Sequence, residues 1–364
     1  MNSKKWIKVF LAAPLLCFTF VLGINYIVDP FNIFHTKILK HQFQMNERFM
    51  KIEYLDKHNG EFNGYMFGSS RIGTTPPSIV EKYIPNSKIY NFTTSSANLD
   101  DYITHLKYFI ERKYPIETLY LQLDVDNMNQ FGRASSDYLR RFHPHILNQS
   151  MSSYYISYLT GLFPFNLKGK ILNNINHTDR TDYFLDTGVW TKPDKEKAII
   201  DNCKEFQLYE PSFNRKVNKV NKVNKSNKSN KSRRQNLEAL QSIKKLSKDN
   251  NIKLYIFITP HNKNMMALFN LDGYLNFLED ISKVTDFYDF SGYNTITVNN
   301  CNYYESSHYR PLVGGLIAGK IFKDDTVEIP EDFGVFVTRT NIDKHLKNLK
   351  KQIENYDLNK ILSK

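Results

Sequence analysis

Cysteine is nearly absent from this chain: Cys17, Cys203 and Cys301 are the only three among 364 residues. No two form a Cys-x-x-Cys pair, which removes the thiolate zinc classes. Cys17 lies inside a hydrophobic stretch. Cys203 and Cys301 can pair in an oxidising compartment, and the sequence leaves open whether they do. RNA-binding aromatic motifs are missing as well. The formal charge of +12 therefore does not make a nucleic-acid binder. Much of that charge gathers in the first residues, one low-complexity stretch and the C-terminal tail. Aromatic residues, by contrast, are plentiful, with 23 Tyr and 26 Phe, and 41% of the chain is hydrophobic. Such a composition supports a sizeable core and argues against general disorder.

Signals for removing the N-terminus are also lacking. Lys4, Lys5 and Lys8 lead into an uncharged apolar run over residues 9–28. A run of about 20 residues is long enough to cross a bilayer as a helix. It ends in Asn25-Tyr26-Ile27-Val28-Asp29-Pro30, which offers no small-x-small cleavage site. Leu16 is too large for a usual lipobox before Cys17. The expectation is an uncleaved single-pass anchor in the lipid bilayer. Its lysine-rich N-terminus faces the cytoplasm, and the remainder is extracytoplasmic or periplasmic.

Beyond the anchor the chain alternates. Residues 34–58 read as a juxtamembrane helix, after Pro30 stops the first one. Gly64-Tyr65-Met66-Phe67-Gly68 reads as a buried strand closed by a tight turn. Pro76-Pro77-Ser78 opens a helix, 88–92 is a strand, 100–113 a helix, and 119–125 a strand. Strand–helix alternation predicts an α/β fold with a parallel sheet and covering helices. An aromatic-rich insertion or lid occupies 132–213. Val-Asn-Lys and Ser-Asn-Lys then recur in tandem within 217–231, a period too short for a solenoid unit. The stretch 214–234 is polar and basic, and reads as a surface loop. Helices over 236–247, 274–284 and 311–322 alternate with strands over 252–259 and 287–290. The expected organisation is a cytoplasmic stub and anchor over 1–30 and a juxtamembrane helix in 31–61. The α/β domain spans 62–325, and a charged tail over 326–364 lies outside the core.

Two segments carry chemistry. In Phe67-Gly68-Ser69-Ser70-Arg71 a serine follows a strand and precedes a helix, where α/β folds place reactive groups and where a helix N-terminus favours negative charge. In Tyr304-Glu305-Ser306-Ser307-His308 a carboxylate stands three residues before a histidine. At that spacing it can orient the ring, and the histidine can then activate a serine hydroxyl.

Together, Gly68-Ser69-Ser70-Arg71 and Glu305-x-x-His308 resemble the first and last blocks of the SGNH (GDSL-type) hydrolase superfamily, across about residues 62–322. The closest branch is that of membrane-anchored, extracytoplasmic proteins that modify envelope polysaccharides. The resemblance implies a flavodoxin-like parallel sheet with helices on both faces. It implies Ser70 as nucleophile, His308 as base and Glu305 as orienting acid, where Asp is usual. In the second block, Asn91-Phe92-Thr93-Thr94-Ser95-Ser96, Ser96 stands where Gly is usual, and its N–H is the implied oxyanion donor with that of Ser70. Asn91 belongs to the same block. The third block, Gly-x-Asn-Asp, is not visible. The matching strand ends Leu121-Gln122-Leu123-Asp124, which makes Asp124, with Asn127 nearby, the site candidate there. Arg71 can bind an anionic group or pair with a core carboxylate. The implied activity is that of a serine esterase or O-acyltransferase acting on acyl esters of cell-surface glycans. It needs no cofactor, and a membrane acyltransferase is a candidate partner.

Two other classes compete. A non-catalytic SGNH-like protein would bind or assemble envelope polysaccharide. A metal enzyme would use Phe142-His143-Pro144-His145 with Asp124, Asp126 and His261. Proline between the histidines suits a turn, and no metal is expected.

Overall fold

The computed structural model describes residues 3–125, 138–176, 180–214 and 230–356. Asp126, Asn127, most of the basic repeat and residues 357–364 lie outside them. The helices of nine or more residues are α1 (Ser3–Val28), α2 (Glu47–Lys57), α3 (Leu99–Glu111), α4 (Met151–Leu159), α5 (Pro164–Asn176), α6 (Pro193–Tyr209), α7 (Asn230–Asp249), α8 (Leu271–Val284), α9 (Pro311–Phe322) and α10 (Ile342–Asn355). The main sheet contains β1 (Gly64–Gly68), β2 (Ile89–Thr93), β3 (Thr118–Leu123), β4 (Lys253–Ile258), β5 (Phe287–Asp289) and β6 (Val335–Val337). Two compact units result, one of Met1–Lys57 with Arg133–Asp182, the other of His58–Gly132 with Tyr183–Lys364.

In the first unit, α1 carries a 23-residue apolar span, Trp6–Val28, of mean hydropathy 2.2, long enough to cross a membrane. Its last turn is built into the unit. Asn25, fully buried, donates from Nδ2 to Leu159 O at 2.8 Å and Gly161 O at 2.7 Å. Asp29 then turns the chain with φ 44°. Its carboxylate accepts Ile33 N at 2.8 Å, Phe34 N at 2.9 Å and Tyr158 Oη at 2.9 Å. The helix expected over 34–58 is therefore confined to Glu47–Lys57. Asn32, His35 and Lys37 also take left-handed φ, which a right-handed helix cannot contain.

In the second unit the strand order is β2-β1-β3-β4-β5-β6. The first five run parallel, and β6 pairs antiparallel with β5, Tyr288 opposite Phe336. Strand side chains alternate between faces. Met66 joins a core with Val313 and Ile317 of α9. Its neighbours Tyr65 and Phe67 instead meet Phe109 of α3, ring centroids 4.8 and 5.7 Å away. Both faces of β1 are thus covered by helices, which explains why it reads as an unbroken apolar run.

Three further expectations change. The segment 132–213 is not one insertion: its early part, to Asp182, belongs to the first unit, and the rest to the second. Helix α7 starts at Asn230, inside the stretch expected as loop. The charged tail is part of the core architecture. Phe333 and Val337 are fully buried, Ile342 and Leu349 of α10 are buried, and α10 packs on α8. The apolar positions of α10 are sparse but recur at helical spacing, so one face docks while the lysines stay in water.

Candidate functional site

Strand β1 ends at Gly68, and the backbone there leaves no room for a side chain. A Cβ would stand 2.5 Å from both Gln122 Oε1 and Ile72 Cγ2. Ser69 caps a single 3-10 turn, Ser70–Ile72. The long helix expected directly after the serine is absent, and only a short one, Ser78–Glu81, follows. A helix dipole is therefore not what serves Ser70. The Ser70 N–H donates to no group among the described residues, so it is available as a single donor.

His308 sits in a tight reversal before α9. Tyr304 N donates to His308 O at 2.9 Å, Arg310 N donates to Asn302 O at 2.9 Å, and Tyr303 bridges Tyr309. Both tyrosines are fully buried, which pins the loop to the core. The result brings together groups 238 positions apart: His308 Nε2 lies 2.8 Å from Ser70 Oγ. On the other side of the ring, Nδ1 contacts Glu305 Oε1, which also accepts the His308 backbone N–H at 2.9 Å. Lys192 Nζ reaches the second Glu305 oxygen at 3.2 Å. Burial alone would raise the Glu305 carboxyl. The charge and hydrogen bond of His308, then Lys192 and Lys195, outweigh it and hold the group well below the usual carboxylate range. Glu305 is therefore an anion at neutral pH, facing an imidazole that faces a serine.

Two residues of this arrangement were not named from the sequence. Lys192 and Trp190 both come from the stretch regarded as insertion. The Trp190 ring lies edge-on to His308, centroids 5.3 Å apart. Its backbone N donates to Gly73 O at 3.0 Å, and a Cβ on Gly73 would fall 2.1 Å from Trp190 Nε1. Trp190 thus joins the turn after Ser70 to the histidine loop. Its rarity, as one of two tryptophans, was the available signal.

The other candidates have different places. Asp124 and Arg71 form a buried ion pair, Oδ2 to Nη1 at 3.0 Å. Ser69 Oγ bonds the same Asp124 oxygen, while Gln122 and Thr259 bond the other. The pair ties the ends of β1, β3 and β4 together. Asn91 Nδ2 donates to Ile72 O at 3.1 Å and Thr75 O at 2.9 Å, so Asn91 braces the turn below Ser70. Ser96 is exposed in the loop after β2, whose Thr94 N donates to Gly68 O at 3.2 Å. Its φ of 53° is the left-handed conformation that glycine adopts most readily.

The histidine pair lies in the first unit. Asp56, His143 and His145 bring ligand atoms within 4.8 Å of one another. Each ring is already paired, His143 Nε2 with Glu53 at 3.0 Å and His145 Nδ1 with Asp56 at 2.9 Å. Asp124 and His261, the further ligands a metal site would need, belong to the other unit, and Asp126 lies outside the described residues. Also in the second unit, Cys203 of α6 is disulfide-bonded to Cys301, Cα atoms 5.8 Å apart. No protein-family model matches the chain, and no curated protein matches its sequence.

Proposed function

We propose that this chain is a membrane-anchored, SGNH-like serine esterase or O-acyltransferase, acting on acyl esters of cell-surface glycans through Ser70, His308 and Glu305. The observation that carries the proposal is the 2.8 Å contact between His308 Nε2 and Ser70 Oγ, backed by Glu305 on Nδ1. A serine hydroxyl is a weak nucleophile until such a base accepts its proton. The order β2-β1-β3-β4-β5 supports a flavodoxin-like, doubly wound reading, in which reactive groups gather at the carboxyl ends of the strands. Ser70 follows the carboxyl end of β1.

The reaction this reading implies is acyl transfer through Ser70. His308 Nε2 takes the Ser70 proton as Oγ bonds the ester carbonyl carbon. The carbonyl oxygen becomes an oxyanion facing backbone N–H groups, that of Ser70 among them. The ester C–O bond then breaks, and His308 returns the proton to the leaving alcohol. Water attacking the Ser70 ester completes hydrolysis; a sugar hydroxyl completes transfer. Glu305 keeps the ring oriented throughout and balances its positive charge.

The location has its own support. Asn25 and Asp29 are structural members of the first unit, so cleaving α1 away would remove buried hydrogen bonds. That favours a retained anchor. Lysines before the span favour a cytoplasmic N-terminus, and the Cys203–Cys301 bridge fits an oxidising compartment outside.

The test is fluorophosphonate labelling of the full-length chain in detergent, with the label located by mass spectrometry. The expected outcome is modification of Ser70, lost in Ser70→Ala and His308→Ala. A folded, disulfide-intact protein that takes no label overturns the enzyme reading in favour of a non-catalytic glycan-binding protein.

A further inference from the structure

Helix α5 (Pro164–Asn176) is inside out for a helix in water. Its inner positions are polar. Lys170, 1% exposed, donates to Asp29 O at 2.6 Å. Asn173 Nδ2 donates to Gln42 O at 2.9 Å, and Asn174 Nδ2 to His41 O at 2.7 Å. Its outer positions are apolar: Phe165 is 85% exposed, Ile175 65% and Leu172 42%. With Lys168 between them, these residues fall within about 80° of the helix circumference. Leu162, in the loop before α5, is 80% exposed and continues the stripe. An amphipathic helix normally turns its apolar face to the core; here nothing among the described residues lies over that face.

The position of the stripe says what covers it. The loop between α4 and α5 is tied to α1 through Asn25, whose Nδ2 donates to Leu159 O and Gly161 O. Asn25 stands three residues before the end of the apolar span Trp6–Val28. At about 1.5 Å per residue that is roughly 4.5 Å inside the span's end. The loop carrying Leu162 therefore sits level with the last turn of the membrane helix, where the medium is acyl chain and headgroup. Charge agrees: residues 151–176 contain no Asp or Glu, and the exposed charge on α5 is Lys168. A lysine there can extend its ammonium to the headgroups while its stem lies among acyl chains. Tyr26, Phe34 and Tyr155 pack as tilted rings at the same end of α1, centroids 5.3 and 5.2 Å apart, and aromatic residues are enriched at membrane interfaces.

We propose that the α4–α5 hairpin is a second membrane contact, with Leu162 and Phe165 embedded beside α1 and the outer stripe of α5 lying in the headgroup–acyl boundary. The occupant is lipid, because the stripe is continuous with the spanning helix. The proposal rests on the reading of α1 as a retained anchor. A chain held this way has two points on the bilayer instead of one. The first unit then cannot swing freely about α1.

The test reconstitutes the full-length chain into vesicles of phosphatidylcholine and phosphatidylglycerol. An NBD fluorophore is attached either to native Cys17 or, in a Cys17→Ser background, at Phe165→Cys or Ile175→Cys. The Cys203–Cys301 bridge leaves those two cysteines unreactive, and the exposure of Phe165 and Ile175 makes both substitutions mild for folding. Each label is probed with acyl-brominated lipid and with aqueous iodide. Bromine should quench the Cys17 and Phe165→Cys labels about twofold or more, with the Ile175→Cys label quenched by shallow bromines only. If Cys17 is quenched but the Phe165→Cys label responds to iodide alone, the hairpin contact is wrong while the anchor stands. If Cys17 itself is not quenched, the anchor reading fails and takes this proposal with it. A label shielded from both quenchers means protein covers the stripe, and that also overturns the proposal.

Discussion

Asp124 accepts hydrogen bonds from Ser69, Gln122 and Thr259 and pairs with Arg71 at 3.0 Å, all at the carboxyl end of the sheet. Both partners of the ion pair are buried, at 2% and 6% exposure. Replacing Asp124 by Asn keeps the shape and removes the charge, so Arg71 loses this counter-ion where water cannot replace it. Breaking a buried pair from one side typically costs about 3–5 kcal/mol. For a unit of this size each kcal/mol lowers the melting temperature by about 2–4 °C. Asp124→Asn should therefore melt about 6–20 °C below the parent, read by intrinsic fluorescence of the full-length chain in detergent. The double variant Arg71→Met with Asp124→Leu should recover much of that loss, because a buried pair replaced from both sides is often close to neutral. A drop below about 2 °C in Asp124→Asn would refute the structural assignment. It would return Arg71 to the role the sequence left open, that of binding an anionic substrate group.

Other perturbations test separate parts of the molecule. Cys203→Ala with Cys301→Ala removes a bridge across a sequence separation of 98, worth about 4–5 kcal/mol by chain entropy, and should lower the melting temperature under non-reducing conditions while leaving the reduced chain's unchanged. Unchanged melting in both conditions would mean the bridge does not form in the protein. In the first unit, the hydrogen bond from His143, against the opposing effect of burial, holds Glu53 at about 2 instead of its ordinary 4.5. Because the folded value is depressed, its stabilisation is full above pH 4.5 and fades as pH falls towards 2, on the order of 3 kcal/mol in all. Melting curves of Glu53→Gln should accordingly lose less stability across that window than those of the parent, and parallel losses would count against the pairing.

The sheet was legible because parallel strands buried on both faces leave dense apolar runs such as Tyr65-Met66-Phe67, and helix α9 was legible from Pro311 at its first turn. The segment after α1 misled because residues 34–46 carry helix-compatible side chains, while the fold there is dictated by Asp29, whose carboxylate gathers backbone N–H groups into a turn. The tail misled for the opposite reason: lysines stand out in its composition, while the buried Phe333, Val337, Ile342 and Leu349 and the pairing of β6 with β5 determine where it goes. At the site, Ser70, His308 and Glu305 could be named because short local spacings mark them. Lys192 and Trp190 could not. They enter from a segment with no local signature, and only the folded chain brings them to the same histidine.

Glu305 is longer by a methylene than the aspartate that the proposed SGNH-like reading would call for, and the contacts show what the extra length does. One oxygen reaches both the ring Nδ1 and the backbone N–H of His308, and the other is left for Lys192. An aspartate at 305, one bond shorter, would have to give up one of these contacts. The charge matters more than the reach. With Glu305→Gln the amide can offer its N–H to the ring, which makes Nδ1 an acceptor and leaves the ring's proton on Nε2. That tautomer cannot take the Ser70 proton. Fluorophosphonate labelling of Ser70 should then slow by about 10⁴-fold, close to 5.5 kcal/mol in the barrier, from a substitution that hardly alters packing. Glu305→Asp should keep the charge and fall between the two. Labelling of Glu305→Gln within about tenfold of the parent would mean that the carboxylate does not set the tautomer. The 2.8 Å contact between Ser70 and His308 would then be an ordinary hydrogen bond on a serine that is not activated.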